Sequence, residues 1–386
     1  MCRYIIAMAV IIFNTFGLVE YVTGQTVSFI ARQDFAVGLF PSSIALADFN
    51  GDGFIDAVVA NQSSTDVSVV LGAGDGTFKA ATNYNAGNAP ISVSVADLNR
   101  DGILDLAVAN AQSNNVSVLM GNGDGTFQAP VNFPAGTVPT YVVTGDFNGD
   151  GLLDLALSNR DSNDVSVLLG NGDGTFQQAV SYGVGTSPFG IAASDLNGDA
   201  ISDLVTANRG SNDVSVLLGN GDGTFQPAAN YSAGRGSFSV AVDDFNKDGI
   251  ADLVTANIDS NDVSVLLGNG DGSFRAPVSY DVGIGAISFA VGDFNRDGIS
   301  DLAVASERSS DGSCSNPKMS SSFSDHLAPA PMSTSTRTPW PSSSSTRMAS
   351  RIRLRASGGC SRLHSGLGTE PNIAPPSSHR NPVSSV

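Results

Sequence analysis

The chain has 386 residues and a formal net charge of -18. Residues 307–386 hold nine Lys/Arg against four Asp/Glu, which leaves -23 on residues 1–306. So acidic a body argues against a nucleic-acid partner, because phosphate backbones are bound through clustered cations. His326, His364, His379, Trp340, Cys314 and Cys360 all lie after residue 306, and Cys2 sits at the N-terminus. Residues 25–306 therefore contain no His, Cys or Trp, which excludes zinc sites and Cys- or His-centred catalysis from that segment.

The first 24 residues read as a secretory signal. Met1-Cys-Arg-Tyr4 carries one positive charge, Ile5 to Val19 is apolar with two small polar interruptions, and Val22-Thr-Gly-Gln25 places modest residues around a cut near Gly24. The apolar run is shorter than the ~20 residues a span requires. The mature chain is thus expected to be secreted, with no membrane span after cleavage. Asn61, Asn115 and Asn230 each open an Asn-x-Ser acceptor for glycosylation in a eukaryotic secretory route.

From residue 29 to 306 the chain repeats every 49 residues. A fixed period of this size marks an array of one supersecondary unit. In the unit at 91–136, Ile91 to Val95 alternates and is β-branched, which predicts a strand. Leu104 to Ala109 is nearly all apolar and predicts a strand buried on both faces. Asn114-Asn115 is a turn, Val116 to Met120 a third strand, and Gly121-Asn-Gly-Asp-Gly125 a tight turn. Phe127 to Phe133 is predicted as the fourth strand, ended by Ala135-Gly136. Four short antiparallel strands make one propeller blade, so the expected fold is an all-β propeller over residues 25–306. Phe29 to Phe35 is placed to act as a lone fourth strand. Phe78, Phe127, Phe176, Phe225 and Phe274 share one register, as do Phe35, Tyr84, Phe133, Tyr182, Tyr231 and Tyr280. Both series are expected to pack blade against blade rather than stack on ligands.

Between the first two strands of each unit stands DxNxDGxxD. Positions 1, 3, 5 and 9 are Asp48, Asn50, Asp52 and Asp56, then Asp97, Asn99, Asp101 and Asp105, then Asp146, Asn148, Asp150 and Asp154. They recur as Asp195, Asn197, Asp199 and Asp203, as Asp244, Asn246, Asp248 and Asp252, and as Asp293, Asn295, Asp297 and Asp301. Short oxygen-bearing side chains at alternate positions of a curled backbone suit a hard cation, and glycine at position 6 permits the sharp turn. The residue at position 7 (Phe54, Ile103, Leu152, Ile201, Ile250 or Ile299) would add a backbone carbonyl. Such all-oxygen sets favour Ca2+ over zinc or copper. One Ca2+ per loop would bring the charge from -18 to about -6 by simple addition. No EF-hand is present, because the position of its bidentate Glu holds Val59, Val108, Leu157, Thr206, Thr255 and Val304. In the fourth loop Ala200 replaces the position-6 glycine, so this loop is predicted to be the weakest site. The second acidic series, Asp75, Asp124, Asp173, Asp222 and Asp271 in Gly-Asp-Gly, is read as hairpin turns.

Asp146-Phe-Asn-Gly-Asp-Gly-Leu-Leu-Asp-Leu155, followed by Ser162-Asn-Asp-Val-Ser-Val-Leu-Leu-Gly-Asn-Gly-Asp-Gly-Thr-Phe176, closely resembles the FG-GAP/VCBS repeat family, also seen in the integrin α-subunit propeller. The resemblance spans residues 29–306. It implies a propeller of six to seven blades, the last incomplete in this chain, with Ca2+ in the loops on one rim. It also implies secretion or surface display and a role in adhesion or ligand binding. No Arg-Gly-Asp sequence is present.

The pattern breaks after Ser306. Residues 307–386 are Ser/Pro/Arg-rich and read either as a disordered tail or as a shifted frame. Ser333-Thr-Ser-Thr336, read one nucleotide earlier, admits Val-Asp-Phe-Asn, a fragment of the repeat. The expected function is a secreted calcium-binding propeller that catalyses nothing and binds an extracellular protein or glycan. The alternative is a lectin-like carbohydrate-binding module using rim loops such as Gly87-Asn-Ala-Pro90. A hydrolase or lyase using Ca2+ as Lewis acid is disfavoured, since the near-identical loops offer no distinct catalytic site.

Overall fold

The structure, a computed structural model, describes residues 34–294 and 298–308. The expected signal segment, residues 309–386 of the expected tail and residues 29–33 of the expected lone strand lie outside them, whereas residues 307 and 308 continue the last strand. Blade 1 comprises β1 (Pro41–Ala47), β2 (Asp56–Asn61), β3 (Asp66–Val70) and β4 (Thr82–Asn85). Blade 2 holds β5 (Pro90–Ala96), β6 (Asp105–Asn110), β7 (Asn115–Leu119) and β8 (Val131–Pro134), and blade 3 holds β9 (Pro139–Gly145), β10 (Asp154–Asn159), β11 (Asp164–Leu168) and β12 (Val180–Gly183). Blade 4 follows with β13 (Pro188–Ser194), β14 (Asp203–Asn208), β15 (Asp213–Leu217) and β16 (Ala229–Ser232). Blade 5 is β17 (Ser237–Asp243), β18 (Asp252–Asn257), β19 (Asp262–Leu266) and β20 (Val278–Asp281). Blade 6 has two strands among the described residues, β21 (Ile284–Gly292) and β22 (Asp301–Arg308), and is incomplete within them.

Each full blade is an antiparallel meander in chain order. The first strands of successive blades face one another, from β1 to β5 and on to β21. The second strand of each full blade is buried along its whole length, as its apolar run requires. The core is divided among the junctions: Val58, Val69, Leu106 and Leu119 join blades 1 and 2, and Leu204, Leu217, Val165 and Val167 join blades 3 and 4. Aromatic pairs stitch the same junctions edge to face. Tyr84 meets Phe127 at 5.5 Å, Phe133 meets Phe176 at 5.3 Å, Tyr182 meets Phe225 at 5.4 Å and Tyr231 meets Phe274 at 5.5 Å. The aromatic series therefore serve blade packing.

Three expectations are corrected. The fourth strand begins at Val131, not Phe127, and it starts in the same register in blades 1 and 3, where Ala81 and Ala179 stand in place of Pro130. Phe127 instead closes an isolated bridge with Gly121. Residues 34–37 form no strand, although Phe35 still packs against Phe78 at 5.2 Å in the shared register. Asn61 is fully buried and donates through Nδ2 to Asp66 Oδ1 and Ser68 Oγ, both at 2.9 Å, so this acceptor cannot take a glycan in the folded chain.

Asn61 belongs to a buried series at the end of each second strand, with Asn110, Asn159, Asn208 and Asn257. Thr206 and Thr255 donate hydroxyl bonds to the Oδ1 of Asn208 and Asn257 at 2.9 and 3.0 Å. Asn61 Oδ1 is buried without a partner, and Val59 holds the register position of those threonines. Val59→Thr is expected to raise stability by about 1 kcal/mol, the reverse of the usual cost of a core hydroxyl, because it supplies the missing donor. Urea denaturation measures it; a lower midpoint would sink the assignment.

Candidate metal loops

Each DxNxDGxxD segment joins the end of an inner strand to the start of the buried second strand, so all the loops lie on one rim. In the first, Asp52 N–H donates to Asp48 Oδ1 (3.2 Å) and Asn50 Oδ1 (2.9 Å), and Gly53 N–H to Asp48 Oδ2 (2.8 Å). Phe54 N–H donates to Asp52 Oδ1 (2.9 Å), and Asn50 Nδ2 to Asp52 Oδ2 (2.9 Å). The side chains at positions 1, 3 and 5 thus wrap one short stretch of backbone. The same wrapping recurs at Asp97, Asn99 and Asp101, at Asp195, Asn197 and Asp199, and at Asp244, Asn246 and Asp248. In the third loop Asp146 Oδ2 accepts from Gly151 N–H and Asn148 Oδ1 from Asp150 N–H. In the sixth, Asn295 and Asp297 lie outside the described residues, while Gly298 N–H donates to Asp293 Oδ2 at 2.7 Å.

The curl needs two left-handed residues, at positions 4 and 6: Gly51 and Gly53, or Arg100 and Gly102. Ala200 is held there too, at φ 66°. A Cβ on Gly53, Gly102, Gly151 or Gly249 would meet nothing within 4 Å, so the penalty at Ala200 is conformational rather than a clash. Ala200→Gly relieves that strain but adds unfolded-chain entropy, for a net gain below about 1 kcal/mol. Gly151→Ala, its mirror, costs about 1 kcal/mol; comparing the two melts checks the sign.

The position-9 carboxylates do something the pattern did not reveal. Asp56, Asp105, Asp154, Asp203 and Asp252 are fully buried, and both oxygens of each accept backbone N–H bonds. Asp154 Oδ2 takes Phe147 N–H at 2.9 Å and Oδ1 takes Gly170 N–H at 2.7 Å. Each thus clamps its loop to the turn that follows the third strand. Burial pushes these carboxyls above the usual range, against the lowering effect of their N–H bonds; the position-1 and position-5 carboxylates add to the rise. Asp252 reaches about 6.

That shift has a sign. The folded state holds extra protons between the unfolded value of 3.8 and about 6, so stability falls as pH rises through this window. In chelator, the melting temperature is expected to climb as pH drops from 7 toward 5. Below 4 the Asp75, Asp124, Asp173, Asp222 and Asp271 carboxyls, lowered by their Thr or Ser bonds, act the other way. A chelated melt that is flat or rising from pH 5 to 7 contradicts the assignment.

Those five carboxylates are turn-formers, as expected. Asp124 Oδ1 accepts from Thr126 N–H at 2.9 Å and from its hydroxyl, and Asn122 N–H donates to Thr126 O. The turns also cover the loops of the preceding blade. Gly125 N–H donates to Phe49 O at 3.2 Å, and Gly223 N–H to Phe147 O at 3.0 Å. A Cβ on Gly174 would stand 3.8 Å from Asn99 Cβ. The position-7 side chains Phe54, Ile103 and Leu152 pack on the turn of their own blade, beside Gly74, Gly123 and Gly172.

Among the described residues, no three carboxylate, imidazole or thiol side chains converge as a ready ligand cage. The donor chemistry nonetheless fits a hard cation. The donors are all oxygen, the position-5 carboxylates are exposed and the position-1 carboxylates half-buried beside them. The repulsion among Asp48, Asp52 and Asp56 is what a divalent cation would relieve.

Stacked four-stranded blades with one acidic loop each define a repeat propeller. The chain belongs to the FG-GAP-like repeat family, which it matches over residues 48–108, 97–157, 146–206, 195–255 and 244–304. None of the curated proteins matches it. Among solved structures it is similar to an Agrocybe aegerita lectin described for specific recognition of non-reducing terminal N-acetylglucosamine, at 21% identity and TM-score 0.50, covering 73% of this chain and 76% of that one. A Bacteroides uniformis protein assigned as a 6-phosphogluconolactonase gives 17% identity and TM-score 0.57, over 75% and 82%. A functionally unknown Desulfotomaculum acetoxidans protein gives 12% and 0.55, over 74% and 83%. At such identities the likeness is one of fold, and that fold serves both binding proteins and enzymes.

Proposed function

We propose that this chain is a secreted, non-catalytic ligand-binding module whose blade loops each hold one Ca2+. The observation that carries the reading is the recurrence of one oxygen-only loop, with the position-3 amide wrapped onto the position-5 backbone in each of the five full blades. Identical loops suit a structural role, since catalysis needs one site unlike its neighbours. Asp and Asn at positions 1, 3 and 5 would hold the ion, with the position-7 carbonyl as a further donor. The ion would neutralise carboxylates that otherwise repel one another within each loop. The lectin relative supports a glycan as the class of ligand.

Calorimetric titration of the chelator-stripped full chain with Ca2+ is the direct test. Five to six ions per chain, not displaced by equal Mg2+, is the expected result. Stoichiometric binding of none or one would end the reading. Hydrolysis of sugar lactones by the pure chain would end its non-catalytic part, the outcome to which the lactonase-like relative points.

A further inference from the structure

The 49-residue register also marks what does not repeat. One register position near the start of the inner strand is Ser42, Ile91, Thr140 or Ile287 in four blades, but Phe189 and Phe238 in blades 4 and 5. These two rings stack, 4.4 Å apart with 29° between planes. Just after the second strand, blades 1 and 2 carry Gln62 and Ala111, whereas blades 3 and 4 carry Arg160 and Arg209. The Arg209 guanidinium lies 5.9 Å from the Phe189 ring centroid. Arg160 is braced by Asp161 through bonds of 2.6 and 3.3 Å.

These residues sit on the rim opposite the metal loops, where the turn after a blade's second strand meets the entry to its inner strand. Arg209 N–H, for example, donates to Ser187 O at 3.0 Å. Arg160, Ser187, Phe189, Arg209, Gly210 and Asp259 line one open cleft of about 270 Å³. Among the described side chains of residues 34–306, Lys79, Arg100, Lys247 and Arg275 lie on the metal-loop rim. The opposite rim has Arg160, Arg209 and Arg235, all within blades 3 to 5. Folding does not demand them, since Gln62 and Ala111 fill the same register. Arg209 makes no ion pair among the described residues.

We propose that this cleft binds a carboxylate-bearing sugar, a hexuronate unit of an acidic polysaccharide. The inference rests on the reading of the chain as a ligand-binding module and assigns its ligand face. Guanidinium forks match a carboxylate in two parallel hydrogen bonds. The Phe189 ring beside Arg209 restrains that guanidinium before the ligand arrives, which lowers the entropy lost on binding. Ser187 and Asp259 take part with hydroxyl groups. Asp259 can only accept, so it favours a ligand with hydroxyls away from its carboxylate and repels one charged throughout. The cleft is slightly below the ~300 Å³ at which pockets for drug-sized ligands begin, a fit for one sugar ring.

The test is calorimetric titration of the calcium-loaded full chain with trigalacturonate, with neutral maltotriose and with a sulfated trisaccharide. Trigalacturonate is expected to bind at least about tenfold more tightly than either, and R160Q and R209Q each to weaken it by about tenfold. Both variants should keep the parent's melting temperature and Ca2+ stoichiometry. No binding, equal binding of maltotriose, tighter binding of the sulfated sugar, or affinity that survives both substitutions overturns the proposal. Arg-dependent binding by a chain that takes up no Ca2+ would uphold the cleft while removing the metal reading. Calcium uptake without arginine-dependent binding would do the opposite.

Discussion

Removing Ca2+ from the full chain is expected to lower its stability by several kcal/mol. At millimolar Ca2+ and a site constant about tenfold lower, each loop adds about 1.4 kcal/mol by mass action. Six independent loops would total about 8 kcal/mol, comparable to the whole stability of an ordinary domain. Under the proposed calcium reading the fourth loop, with Ala200 at φ 66°, should empty first. Thermal melts in millimolar Ca2+ and in EDTA, with Mg2+ as the rescue control, measure the effect. Identical melts would leave the acidic loops as turns and remove the main support for a calcium-dependent module.

Asp154→Ala is expected to be the most damaging single substitution in the loops, by about 3 kcal/mol or more. It strips the partners from two buried donors, Phe147 N–H and Gly170 N–H, and each buried unsatisfied group costs about 1–3 kcal/mol. It also opens a void beneath the third loop, where Phe147 and Leu155 are buried. Asp146→Ala, at a half-buried position on the loop, should matter mostly when Ca2+ is present. Denaturation of both variants in chelator separates the two roles. If Asp154→Ala and Asp146→Ala lose the same stability without metal, position 9 is no clamp.

That contrast shows where the sequence was legible. The 49-residue spacing and the alternation of apolar residues fixed the blades, the turns and the aromatic stitching, because each is repeated in register. The letter Asp at position 9 was equally visible, but it does not say which way the carboxyl turns. Loop ligand and buried clamp call for the same side chain at the same spacing. Phe127 has the residue type of a first strand residue, but its ring belongs to an isolated bridge and a blade junction, a difference that residue type does not encode. Asn61 matched a glycosylation acceptor while its amide was committed to Asp66 and Ser68. The Arg209 and Phe189 cleft is hidden in the sequence for a different reason. It is a departure from the repeat, visible only once the shared positions of every blade are set side by side.

The glycine turns that reach back over the preceding loop set the length of the smallest self-sufficient piece. The first loop starts at Asp48, yet its covering contact comes from Gly125, well inside the next blade. A single 49-residue repeat cut from this chain would carry a loop without its cover and one face of a core without its partner. Two adjacent blades would finish one loop and leave the trailing one open. Fragments of increasing length should thus gain finished loops one step behind their blades, and cooperativity should rise with the number of junctions rather than with the number of repeats.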